Sequence, residues 1–154
     1  MHVIKLASSP DDVVAVKAIF EEYLTVLKTD FDNKIGCAIG SNDLQTFPKQ
    51  YLGLFLATLN DTPLAACGVK HINVGDCELS KLYCKPEGRG HGLGRTLTEA
   101  AILYARQNGY KRLVLSTESV MEHAIQLYEN IGFASTDKYE SGQSGCSRFM
   151  AFSL

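Results

Sequence analysis

The sequence lacks a disulfide framework, a zinc signature, a membrane-length apolar run and a surplus of basic charge. Its five cysteines, at positions 37, 67, 77, 84 and 146, are odd in number and form no Cys-x-x-Cys pair, and no histidines cluster near them. That pattern argues against both disulfides and a metal site. Cys67, Cys77 and Cys84 lie in apolar strand-like runs, as small buried hydrophobes of a reducing cytoplasm do. The start, Met1-His2-Val3-Ile4-Lys5, runs into polar residues and Pro10 without a secretory apolar region. The most apolar stretch, Leu52 to Leu59, is far shorter than the ~20 residues a membrane helix needs. With 15 Lys and Arg against 17 Asp and Glu, the formal charge is -2. No global basic field exists to hold nucleic acid or an anionic membrane, so a polyanion would need a local site. A cytoplasmic protein that binds neither is the expectation.

What is present is one ordinary domain. The 154 residues, 45% hydrophobic and 21% charged, suit a single folded unit over 1–154 with a sizeable core. No internal repeat or low-complexity linker divides it. Residues 2–7 read as a strand. Ser9-Pro10-Asp11-Asp12 reads as a helix start, and Val13, Val16, Phe20, Tyr23, Leu24 and Leu27 carry that helix to about Lys28. Residues 29–50 are irregular, with a short helix expected near Asp43–Phe47 ahead of Pro48. Leu54–Asn60 and Leu64–Asn73 form a hairpin around Asn60-Asp61-Thr62-Pro63, and a strand at Cys77–Cys84 follows. A helix from Leu93 to Asn108-Gly109, a strand at Leu113–Leu115, a helix over 120–131 and strands at 134–140 and 146–153 complete the order. This order predicts a layered mixed α/β or α+β domain.

The chemistry concentrates in Pro86-Glu87-Gly88-Arg89-Gly90-His91-Gly92-Leu93-Gly94-Arg95-Thr96. A strand, then glycines, then a helix suits phosphate: the backbone approaches closely, and free helix-start N–H groups and the helix dipole face the anion. The Rossmann fingerprint fails, because the glycines stand at 90, 92 and 94 rather than at G-x-G-x-x-G spacing. The P-loop fails too, needing glycine at Arg89 and lysine at Arg95. A plain turn with no ligand remains the bland alternative. Against it, Lys81, Lys85, Arg89 and Arg95 gather here with only Glu78 and Glu87 opposing them, while acids outnumber bases elsewhere.

Arg89-Gly90-His91-Gly92-Leu93-Gly94 fits Arg/Gln-x-x-Gly-x-Gly/Ala and closely resembles the acetyl-CoA loop of the GNAT superfamily of N-acetyltransferases. Glu78-Leu79-Ser80-Lys81-Leu82-Tyr83-Cys84-Lys85-Pro86 resembles the strand before that loop, and Ala124 through Tyr128 to Gly132-Phe133 its later helix. The resemblance spans nearly the whole chain and is strongest over 77–133. It implies the GNAT fold: a mixed, mostly antiparallel sheet of about six to seven strands flanked by about four helices. It also implies acetyl-CoA as co-substrate, no metal, and a small-molecule or peptide amine as acceptor. Homodimers are common among similar proteins.

Residue by residue, the resemblance puts the coenzyme A pyrophosphate on the backbone of Arg89, Gly90, His91, Gly92, Leu93, Gly94 and Arg95, with the Thr96 hydroxyl close by. The pantetheine arm would run along Leu82, Tyr83 and Cys84, with the Leu82 N–H as oxyanion donor. Tyr128 matches the tyrosine that protonates the leaving thiolate; its other reading is a core aromatic. Glu78 is the base candidate, by itself or through water, or else a structural ion-pair partner. Strict alternation would put Glu78, Ser80 and Leu82 on one face of their strand and Leu79, Lys81 and Tyr83 on the other. Met121 stands where many relatives have Asn, leaving Ser116, Thr117 or Ser119 as substitutes. That departure motivates a second reading, a non-catalytic acyl-CoA-binding sensor. His91 and His123 are expected on solvated surface, and Tyr23, Phe31, Tyr51 and Tyr139 either line an acceptor pocket or belong to the core.

Overall fold

A computed structural model describes residues 2–31, 44–139 and 148–154. Seven strands form one sheet: β1 (His2–Leu6), β2 (Gly53–Leu59), β3 (Thr62–His71), β4 (Asp76–Cys84), β5 (Arg112–Thr117), β6 (Ala134–Ser135) and β7 (Arg148–Ser153). Their spatial order is β1-β2-β3-β4-β5-β7-β6. Every pairing is antiparallel except β4 with β5, which is parallel. Three α-helices stand among the described residues: α1 (Pro10–Phe31), α2 (Leu93–Gln107) and α3 (Glu122–Ile131).

The helix starts follow their local chemistry. Ser9 caps α1, its Oγ accepting the Asp12 amide at 3.1 Å, and Asp11 and Asp12 sit in the dipole-favoured first turn. In the β2–β3 hairpin, Asn60 and Asp61 both take positive φ (50° and 66°), the conformation a two-residue turn between twisted strands requires. Near 43–47, where a short helix is expected, Leu44 is in a 3-10 turn and residues 45–50 are turns. Phe47 N donates to Leu44 O and Lys49 N to Thr46 O in successive tight turns, because Pro48 offers no N–H and disfavours helical backbone before it. Asp43 itself lies outside the described residues. The strand expected over 134–140 is only Ala134–Ser135 among them, while β5 is longer than its apolar centre suggested. The turn expected at Gly142-Gln143-Ser144-Gly145 lies outside them.

Two cores flank the sheet. Val16, Ile19 and Phe20 of α1 are fully buried against Leu54, Leu56 and Ala66. On the other face Leu93, Leu97, Ala101 and Ala105 of α2 pack on Phe55, Ala57, Ala65, Cys67 and Leu79, and Tyr128 and Ile125 of α3 join them. Strands β2 and β3 are thus buried on both sides, which explains their unbroken apolar runs. Cys67 and Cys77 are fully buried there as free thiols, whereas Cys84 is only half-buried.

The strand β4 departs from simple alternation. Ala66 pairs with Tyr83 but Gly68 with Ser80, so β4 carries one extra residue, and Lys81 sits at φ 56°. This is a β-bulge, and it reverses the side-chain parity beyond it. Leu79 before the bulge and Leu82 after it face the α2 core, while Tyr83 packs with α1. The expected grouping of Glu78, Ser80 and Leu82 on one face is therefore wrong: Leu82 has crossed to the other. The parallel β4–β5 ladder also ends early. It covers Asp76, Cys77 and Glu78 against Arg112, Leu113 and Val114. Beyond that, β4 stays with β3 as far as Cys84 and β5 stays with β7 as far as Thr117, so the sheet opens between them.

Candidate active site

Two adjoining cavities, about 240 Å³ and 470 Å³, make one groove along this opening and share Cys84, Arg89, Gly94 and Leu127. At one end lies the glycine loop. Gly90 and Gly92 have φ of 87° and 71°, and a Cβ at either would meet nothing within 4 Å, so the loop presents bare backbone outward. Gly88 is different: a Cβ there would come within 2.9 Å of the Leu64 Cβ and 3.2 Å of the Cys84 Sγ, so it seats the loop against β3 and β4. The first intrahelical bond of α2 runs from Thr96 N to Gly92 O at 3.1 Å, leaving the Leu93, Gly94 and Arg95 amides ahead of it. Open amides, a positive helix end and Arg89 and Arg95 in the wall are a fit for pyrophosphate. The Thr96 hydroxyl donates to Gly92 O at 2.9 Å, so its proton is already engaged. The Leu93 side chain is a core residue, leaving its backbone for a ligand. His91 is exposed.

At the other end, Leu82, Tyr83 and Cys84 line the groove opposite Met121, Ala124, Leu127 and Tyr128, with Tyr23, Val26 and Leu27 of α1 closing a third side. Tyr128 is 7% exposed, and among the described residues its hydroxyl has no hydrogen-bond partner. Burial pushes its pKa up, so it stays a neutral phenol and a potential donor. Burial likewise pushes Tyr23 up to about 12. Tyr83 also rises to about 12, through burial first and then through its hydroxyl's bond to Glu22 Oε2 at 3.0 Å. Lys85 reaches the same carboxylate at 3.6 Å, and the Arg89 guanidinium lies 6.0 Å over the Tyr83 ring. These contacts tie α1 to the rim of the groove. His123 is exposed yet lines the mouth, a placement that residue type alone did not reveal.

Glu78 lies on the sheet face away from α2, 6% exposed, and accepts a hydrogen bond from the Tyr139 hydroxyl. Of the aromatic residues considered for an acceptor pocket, Tyr23 reaches the groove and Tyr139 sits on Glu78. Tyr51 packs instead with Phe20 and Phe47 and takes a bond from Lys81 Nζ at 3.0 Å. The Phe31 side chain lies outside the described residues. Near Met121 the Thr117 hydroxyl contacts the Met121 Sδ at 3.5 Å, and Ser116 bonds Tyr139. At the closed end of the opening, Arg112 grips Asp76 with two bonds of 2.9 and 2.8 Å, and holds the Asp76 carboxyl below its ordinary range. Among the described residues no group of three His, Cys, Asp or Glu side chains could hold a metal, and no helix is long and apolar enough to cross a membrane.

A half-open mixed sheet with a glycine-led helix at the mouth of its central gap makes a layered α/β domain with a groove between β4 and β5, and comparison with known proteins makes the class specific. Residues 15–133 match the model of the acetyltransferase (GNAT) family. An uncharacterized N-acetyltransferase of Schizosaccharomyces pombe is 30% identical over 132 residues, covering 84% of this chain and 81% of that protein. An uncharacterized N-acetyltransferase of Escherichia coli is 44% identical over 69 residues, 45% of this chain and 41% of that protein. Among solved structures, a GNAT-family acetyltransferase from Staphylococcus aureus Mu50 superposes with TM-score 0.81 at 20% identity, covering 100% of this chain and 99% of that one. A protein from Salmonella typhimurium, solved with its cofactor acetyl-CoA, has TM-score 0.74 at 22% identity, covering 100% of this chain and 94% of that one. This chain belongs to the GNAT acetyltransferase family.

Proposed function

We propose that the protein is an acetyl-CoA-dependent N-acetyltransferase that moves an acetyl group to a primary amine of a small molecule or peptide, by direct attack in a ternary complex. The observation that carries this reading is the continuous groove from the glycine loop, past Leu82–Cys84, to the Tyr128 hydroxyl at the parting of β4 and β5. Acetyl-CoA supplies an activated acetyl thioester and, from its phosphates, the anion that the open loop amides accept; the Salmonella structure with bound acetyl-CoA supports that choice. Glu78 takes the proton that leaves the amine, by itself or through water. The Leu82 N–H stabilises the developing oxyanion as the N–C bond forms. Tyr128 gives its proton to the sulfur as the C–S bond breaks. Glu78 and Tyr128 belong to opposite sheet faces, and of the two only Tyr128 lines the cavities described above, so Glu78 acts from the far side of the sheet. The reading places the protein in the cytoplasm, acting on a free amine rather than on nucleic acid or membrane, as monomer or homodimer.

Incubation with acetyl-CoA and an amine panel, followed by release of free thiol, tests the proposal. Amine-dependent thiol release with a matching acetylated product is expected. Tight acetyl-CoA binding with no turnover on any amine would overturn it in favour of the sensor reading, and stronger thermal stabilisation by ATP than by coenzyme A would overturn the choice of donor.

A further inference from the structure

Buried Glu78 and Tyr139 and half-buried Ser116 form a hydrogen-bonded set that joins β4, β5 and the segment after β6. The Tyr139 hydroxyl donates to Glu78 Oε2 across a sequence separation of 61 residues, and accepts from Ser116. Tyr139 is 6% exposed, and its ring meets Phe149 edge-on at 5.7 Å and 89°. Phe149 pairs with Ser116 in the β5–β7 ladder, so one register sets both the ring's seat and the hydroxyl's second partner. The set stands at the last paired position of the β4–β5 ladder, where the gap begins.

We propose that Tyr139 is a positioning residue for Glu78: its phenol keeps the Glu78 carboxylate ionised and fixed where β4 and β5 part, ready to accept the amine's proton. The inference rests on the acetyltransfer reading above. A carboxylate buried in a sheet without a donor would take up a proton and lose its use as a base, whereas a donor to its charged form holds it ionised. The phenol suits that task, since burial and the neighbouring Glu78 push its own pKa up and it remains a donor through the neutral range. Other groups on this side are common to wild type and variant. Lys70 stands opposite Glu78 on β3, with its ammonium 5.2 Å over the Tyr51 ring. Lys81 of β4 reaches Tyr51 and lies 5.9 Å over Phe20 of α1, and Ser80 follows Glu78 on the same face. The difference between wild type and Tyr139→Phe therefore isolates the phenol.

The test is a carboxyl-carbon NMR titration of Glu78 in the ligand-free full chain, assigned with Glu78→Gln, beside the pH profile of kcat/KM. In Tyr139→Phe, the Glu78 titration and the acid limb of the profile should both move upward by about one pH unit, the scale of losing a hydrogen bond to a charged group. Ser116→Ala should give a smaller shift in the same direction, and it carries the test if Tyr139→Phe does not fold. Unchanged Glu78 titration in a folded variant overturns the inference while leaving the acetyltransfer reading intact. Absence of turnover by the wild-type protein sinks that reading instead, whatever the titration does.

Discussion

The two ends of β4 do opposite work. At its start, Cys77 and Glu78 are paired on both edges and the Asp76–Arg112 grip clamps the strand to β5. Past the Lys81 bulge, Tyr83 and Cys84 are paired with β3 alone, and Leu82–Cys84 borders the groove. The first end holds the two half-sheets together; the second keeps them apart. A backbone edge in a sheet is a binding surface whenever its neighbour is withdrawn, and a bulge withdraws it without unfolding either strand. The lesson is that the clamp should govern stability and the open end should govern turnover, and substitutions can separate the two.

The largest expected effect is at the open end. Tyr128→Phe should lower kcat by about 10²-fold, within the range for losing a general acid, with the thermal midpoint nearly unchanged because the hydroxyl bonds no described residue. Steady-state kinetics with a thermal melt checks both halves, and a large loss of stability with little loss of kcat would reverse the comparison. At the clamped end, Asp76→Asn should cost about 1–2 kcal/mol, kept modest because Arg112 is 36% exposed and water screens part of the pair. The folded Asp76 pKa is lowered, chiefly by the Arg112 bond. Its stabilisation is therefore complete above the unfolded value of ~3.9 and is lost as pH falls through the folded value. Denaturant melts at several pH values should show the wild-type advantage constant near neutrality and shrinking below about pH 4. A smaller loss of stability than at the clamp is expected at Gly92→Ala, about 1 kcal/mol from forcing a side chain into positive φ, since the added Cβ meets no protein atom. Coenzyme A affinity, measured by calorimetry, should fall by more than that stability loss, because the methyl group occupies the face of the loop offered to phosphate.

Much of the site was legible because its chemistry is local. The glycine loop, the capped α1 and the apolar stripe of α2 are patterns a few residues long, and each forms where its pattern stands. Tyr128 was readable from the run to Gly132-Phe133. What escaped was non-local or unsignalled. Lys81 occupies a left-handed bulge position usually marked by glycine or asparagine, so nothing in the residue type announced the parity reversal that sends Leu82 across the sheet. Tyr139 was readable as either a pocket or a core aromatic, but its bond to Glu78 joins residues far apart in the chain. His123 gave no periodicity signal, because the mouth it borders exists only once α3 has packed beside β4.

By itself the sequence determined most of the helices and strands and the glycine turn ahead of α2, since propensity, capping and periodicity act over a turn or two of chain. It also determined the local basic site in a near-neutral chain. Only the tertiary structure decided where β4 and β5 separate, which face each β4 side chain takes, and which hydroxyl holds Glu78. Those depend on register between distant strands, and one extra residue in a ladder is enough to turn side chains from one face of a sheet to the other.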